Sequence, residues 1–141
     1  MQLFFLLTIL CLLAGISYLD IRFMRIPLPL NLGFFALSLA YSYISGFGLP
    51  ALFYAFAGFL FIVVIRRLTA NGIGLADAIL SGSVTLLLGP MKWVLCLLSA
   101  SILGLVLFIL LGKKIGASGE KPRLPFAPCI AIATIPFLFI N

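Results

Sequence analysis

Ile102-Leu103-Gly104-Leu105-Val106-Leu107-Phe108-Ile109-Leu110-Leu111 is an apolar run with no polar side chain and no alternation. A strand that lines a membrane barrel alternates apolar and polar residues over a short segment. A run without alternation must satisfy its backbone groups within itself when lipid surrounds it, and only a helix does so. The stretch therefore predicts a membrane helix. The rest of the chain has the same character. Hydrophobic residues make up 65% of the 141 positions and charged residues 9%, against roughly half and a quarter in a soluble domain. The surplus has to face lipid. The expectation is an all-α integral membrane protein with one domain over residues 1–141.

Outward from that run, breakers divide the chain into six apolar spans. The run belongs to the fifth, residues 93–111, which follows Gly89-Pro90. The fourth covers 75–88. The third covers 51–65, with Pro50 suited to its first helical position and Arg66-Arg67 stopping it. The second covers 32–44, and the first covers 3–19. The sixth, 125–140, has Pro125 and Pro128 in its first turn and Pro136 as a kink. The first span is not read as a signal peptide, because no basic residue precedes it and no small-x-small site closes it. The prolines at 27 and 29 predict that residues 20–31 form a loop or short surface segment.

The net charge of +6 raises the question of nucleic acid. The basic residues sit in short gaps between apolar runs instead of in one block or on one face, so no nucleic acid is expected. Their partners are water and membrane lipids. Arg22, Arg25, Arg66, Arg67, Lys113, Lys114, Lys121 and Arg123 fall in the first, third and fifth loops, and only Lys92 falls elsewhere. The positive-inside rule then places those three loops in the cytoplasm and both termini outside. Cys11, Cys96 and Cys129 lie in apolar runs without Cys-x-x-Cys spacing, and histidine is absent. That argues against a zinc site and against serine-histidine or cysteine-histidine chemistry. No metal or cofactor is expected.

The acidic residues are only three, Asp20, Asp77 and Glu120. Asp20 closes the first span, and Asp77 opens the fourth within Ala70-Asn71-Gly72-Ile73-Gly74-Leu75-Ala76-Asp77. Carboxylates beside lipid are kept for a use. The loop charges put both at the cytoplasmic ends of their spans, so they meet if those spans pack together. Two carboxylates about 3 Å apart share a proton and titrate as a pair. One then serves as base toward a water while the other, protonated, polarises a carbonyl. Each also has a plainer reading. Asp20 can be a helix-end residue paired with Arg22 or Arg25, and Asp77 a favourable charge at a helix N-terminus. A transporter loading a cation on the same groups is a further alternative.

Three motifs lie in series: Asp20-x5-Ile26-Pro27, Gly72-x-Gly74-x-Ala76-Asp77, and Leu124-Pro125-Phe126-Ala127-Pro128. Together they resemble the type IV prepilin peptidases, membrane aspartic proteases of the bacterial inner membrane, over nearly the whole chain. The resemblance implies Asp20 and Asp77 as the catalytic pair. It also implies cleavage of leader peptides from type IV prepilin-like precursors at the cytoplasmic face, in the service of pili and secretion. Gly72 and Gly74 would let the loop bend, while Ile26, Pro27, Pro125, Phe126 and Pro128 would shape the approach. Three positions depart from the pattern: Ala76 and Ala127 replace glycine, and Ile79 replaces lysine. Leu28 follows Ile26-Pro27, so no role passes to Asn31. The departures leave open an inactive member that binds precursors as an assembly factor. The first loop is short and has no cysteine, which resembles the compact peptidase-only form.

Overall fold

The computed structural model describes residues 2–23, 26–68, 74–115 and 126–139. Within them the chain forms five helices: α1 Gln2–Phe23, α2 Leu28–Ile44, α3 Pro50–Leu68, α4 Leu75–Ile115 and α5 Ala127–Phe139. The stretches Phe4–Phe23, Pro50–Leu68 and Leu75–Leu110 are long and apolar enough to cross a membrane, while α2 and α5 are shorter apolar helices. The protein is a helical membrane protein.

Six separate helices were expected, and five are found because the fourth and fifth spans join into α4. The expected break is nonetheless there: Gly89 has φ 75 and ψ 169, outside helical geometry, a conformation that glycine adopts without a Cβ penalty. The two arms of α4 do not continue in one line. Trp93 Nε1 donates to Ser81 Oγ at 3.0 Å. In a straight helix, residues twelve apart lie about 18 Å from one another, beyond the reach of those side chains. The chain therefore doubles back at Gly89-Pro90, and Ser81, Val84, Trp93, Cys96 and Leu97 line one common cavity.

The first connection also differs from expectation. α1 runs through Asp20 to Phe23 and α2 starts at Leu28, so most of residues 20–31 is helical. Asp20-Ile21-Arg22-Phe23 contains no breaker. The prolines sit where a helix start tolerates them: Pro27 is the extended N-cap of α2, and Pro29 lies in its first turn, where the lost N–H has no helical partner to lose. At the other end of α2, Gly46 N–H donates to Tyr43 O and Phe47 N–H to Ser42 O. This is a Schellman cap, with Gly46 at φ 80 in the left-handed position that the motif reserves for glycine. Pro50 opens α3 as its position predicts.

α1, α2 and α3 each bury a narrow stripe, whereas α4 is buried on all sides over residues 80–88 and α5 buries most of its first two turns. In α1 the stripe is Ile9, Leu13, Ile16 and Asp20, at helical spacing. In α2 it is Asn31, Phe34, Ser38 and Ser42, and in α3 Ala51, Ala55, Gly58 and Ile62. The large side chains face outward, among them Phe53, Phe56, Leu98, Ile102 and Leu105. Lipid gives helices no hydrophobic reason to associate, so small residues let backbones approach and polar groups bond across. A Cβ added at Gly82 would come within 3.1 Å of Ala55 O, so α3 and α4 meet nearly backbone to backbone there.

α1 packs against α2 and α5, and α4 packs against α2, α3 and α5. α2 and α5 thus stand between the two helices that carry the aspartates and set how far apart they lie.

Candidate active site

Asp20 is the last member of the buried α1 stripe and is 8% exposed. Its Oδ2 accepts from the Ala127 N–H at 3.1 Å. Ala127 is the first residue of α5, whose opening N–H groups have no partner within the helix. A carboxylate in the last turn of one helix thus caps the first turn of another, where the positive end of the helix dipole favours it. The plainer pairing with Arg22 is not formed. The Arg22 guanidinium instead donates to Tyr18 Oη at 2.5 Å and lies over the Tyr18 and Phe23 rings. Arg25 lies outside the described residues.

Asp77 lies in the first turn of α4 and is half-buried. Its Oδ2 accepts from the Gly74 N–H, 3.3 Å away. This is the return arm of a capping box, in which an acidic third residue reaches back to the residue before the helix. A Cβ at Gly74 would stand 3.1 Å from that same oxygen. Glycine at 74 therefore leaves room for the carboxylate; the loop whose bending was expected of it lies outside the described residues. Gly72 lies outside the described residues.

Asp77 lies within electrostatic range of Asp20, with α2 and α5 packed between the helices that carry them. Cys129, buried in the first turn of α5, also lies within the field of Asp20. The three elements α1, α4 and α5 thus bring their polar ends to one end of the bundle.

The remaining motif residues surround this end. Ile26 and Phe126 are partly buried and pack on the main core cluster. Pro27 is exposed and caps α2. The Phe126 carbonyl accepts from Ile130 N–H at 3.1 Å, closing the first turn of α5. Pro128 occupies that turn without losing a helical bond, and Pro125 lies outside the described residues. Ala76 is helical, so a Cβ there causes no backbone strain, and the expected glycine is not required by φ.

One participant carried no expectation. Asn31 is wholly buried, and its Nδ2 donates to Ala76 O at 2.7 Å. The signal was present in the sequence as the first member of a polar series, Asn31, Ser38 and Ser42, at helical spacing. Pro27 and Pro29 mask that signal, because they point to a loop over residues 20–31.

Neither a curated protein nor a solved structure matches the chain. The profile of the Type IV leader peptidase family matches residues 5–109. That interval is most of the chain and contains Asp20, Ile26-Pro27 and the Gly72–Asp77 motif, though not α5. On that match the chain belongs to the Type IV leader peptidase family.

Proposed function

We propose that the protein is a membrane aspartic endopeptidase that removes leader peptides from type IV prepilin-like precursors, with Asp20 and Asp77 as its catalytic pair. The observation that carries this reading is that two of only three acidic residues lie within electrostatic range of each other. In the reaction, the ionised member takes a proton from water, which attacks the scissile carbonyl. The protonated member donates its proton to the carbonyl oxygen; on collapse of the diol the proton taken from water passes to the leaving amine, and the diol's proton returns to the member that gave it. The chemistry needs neither metal nor cofactor. The whole chain acts as one peptidase domain in the inner membrane, with six crossings, both termini outside and the pair at the cytoplasmic face. The break at Gly89 and the basic first, third and fifth loops support that topology.

A second reading has an observation in its favour. Each carboxylate already has a structural task, Asp20 on the Ala127 N–H and Asp77 on the Gly74 N–H. A member of the family could keep both aspartates as caps while binding precursors as an assembly factor. Asparagine separates the two readings, because it caps a helix about as well as aspartate but cannot exchange a proton. Co-expression with a type IV prepilin-like precursor should give leader removal by the wild type and none by Asp20→Asn or Asp77→Asn. Binding of the precursor without cleavage by any of the three favours the assembly factor. Ion flux without cleavage favours a transporter.

A further inference from the structure

Asn31 has two arms, and only one is satisfied by the protein. Nδ2 donates to Ala76 O at 2.7 Å, whereas Oδ1 is buried and accepts from no group among the described residues. Native structures keep few such atoms. Turning the amide over does not relieve it, since Oδ1 would then face the Ala76 carbonyl, acceptor against acceptor. Because both arms share one carbon, Oδ1 also lies at the first turn of α4, one residue from Asp77. Ser42 Oγ is the other buried side-chain atom without a partner among the described residues, and it lies three helical turns farther along α2.

What this oxygen lacks is a donor. Among the described residues at this end, the titratable groups that can carry a proton are Asp77 of α4, Asp20 of α1 and Cys129 of α5. The fixed cation nearest Asp20 along α1, Arg22, is turned toward Tyr18. Asp20 Oδ2 is held by α5. Asp77 Oδ2 is held by Gly74 N–H, which leaves Oδ1 of Asp77 to carry a proton. We propose that Asn31 is a positioning residue whose Oδ1 accepts the O–H of Asp77 in its acid form, while its Nδ2 fixes the same turn through Ala76 O. The acid form of Asp77 is then held at both oxygens, one accepting and one donating. This rests on the reading of the two aspartates as a general acid and base, and it assigns the acid form a partner.

A double-mutant cycle tests it without requiring cleavage. Asp77→Asn places a permanent N–H donor where the acid form has its O–H. Thermal unfolding in detergent is measured for wild type, Asp77→Asn, Asn31→Leu and the double variant. If Asn31→Leu fails to fold, the smaller Asn31→Ala replaces it. The expected result is coupling: Asp77→Asn raises the midpoint by about 2–4 °C more with Asn31 present than without it. Asn31→Leu is also expected to lower kcat about tenfold on a precursor with KM unchanged, as loss of an arrangement used only in the chemical step requires. Additive midpoints, or a rise in KM with kcat unchanged, overturn the proposal. A wild type that cleaves no precursor while the coupling persists overturns the peptidase reading and supports the contact.

Discussion

The two aspartates are the same residue in opposite settings. Asp77 is positioned locally: it opens α4 and takes its bond from Gly74, three residues away. Asp20 is positioned by the tertiary fold: it lies near the end of α1 and takes its bond from Ala127, 107 residues along the chain. At the end of its own helix the carboxylate of Asp20 is disfavoured by the dipole. The start of α5 supplies the opposite sign. Asp77 should therefore keep its place wherever α4 begins correctly, whereas Asp20 depends on the docking of α5. A last helix outside the interval matched by the family thus holds one half of the pair.

The sharpest way to break this comparison is to remove the titration and keep the caps. Asp20→Asn and Asp77→Asn should each lower leader cleavage by about 10²–10⁴. Unfolding midpoints should move by only a few degrees, since the amide oxygen still accepts from Ala127 or Gly74. Gel assay of the precursor and thermal unfolding read the two effects separately. A large fall in midpoint for Asp20→Asn alone would mean that its charge, and not merely its oxygen, holds α5.

The next test separates local from distant positioning. Ala127→Pro deletes the N–H that binds Asp20 at a helix position where proline is tolerated. It should lower kcat about tenfold with a smaller effect on KM, and it should leave the first turn of α4 intact. Gly74→Ala disturbs the other partner, because its Cβ would stand 3.1 Å from Asp77 Oδ2. The carboxylate has to shift by only a few tenths of an ångström, so a two- to fivefold loss is expected, roughly the effect of a misplaced catalytic group with its chemistry intact. Equal losses in both variants would remove the distinction between the two carboxylates.

How far the chain could be read in advance follows the same division. The apolar runs, Pro50 at the start of α3 and the break at Gly89-Pro90 are local features, and local physics decided them. Eight of nine basic residues in alternate loops put Asp20 and Asp77 at corresponding ends of their spans, and the electrostatic range between the two is compatible with that expectation. What was not legible depends on contacts across the fold. Two prolines near residue 28 suggested a loop, while the structure uses them at the helix start and keeps both Asp20 and Asn31 helical. Hydropathy marks where a helix lies and carries no information on its neighbours, so the α5 amide on Asp20 and the Asn31 bond to Ala76 could not be foreseen.

The smallest expected effect on activity comes from the seam between α3 and α4, far from the pair. A Cβ at Gly58 would overlap Thr85 and touch the Trp93 ring. Gly58→Ala should destabilise by about 1–3 kcal/mol through overpacking, seen as a lower unfolding midpoint, with cleavage per folded molecule unchanged. A loss of cleavage here without a loss of fold would show that the doubled-back arms of α4 transmit strain to Asp77.

Proximity of the two carboxylates in the membrane is tested most directly by cross-linking. In a chain whose three native cysteines are replaced by alanine, Asp20→Cys is combined with Asp77→Cys and treated in membranes with a short thiol-to-thiol linker. Asp20→Cys with Met91→Cys, which lies beyond the Gly89 break, is the comparison. Mass spectrometry of the digest should find residues 20 and 77 joined and residues 20 and 91 not joined. No link between 20 and 77, or equal links in both pairs, would contradict the account.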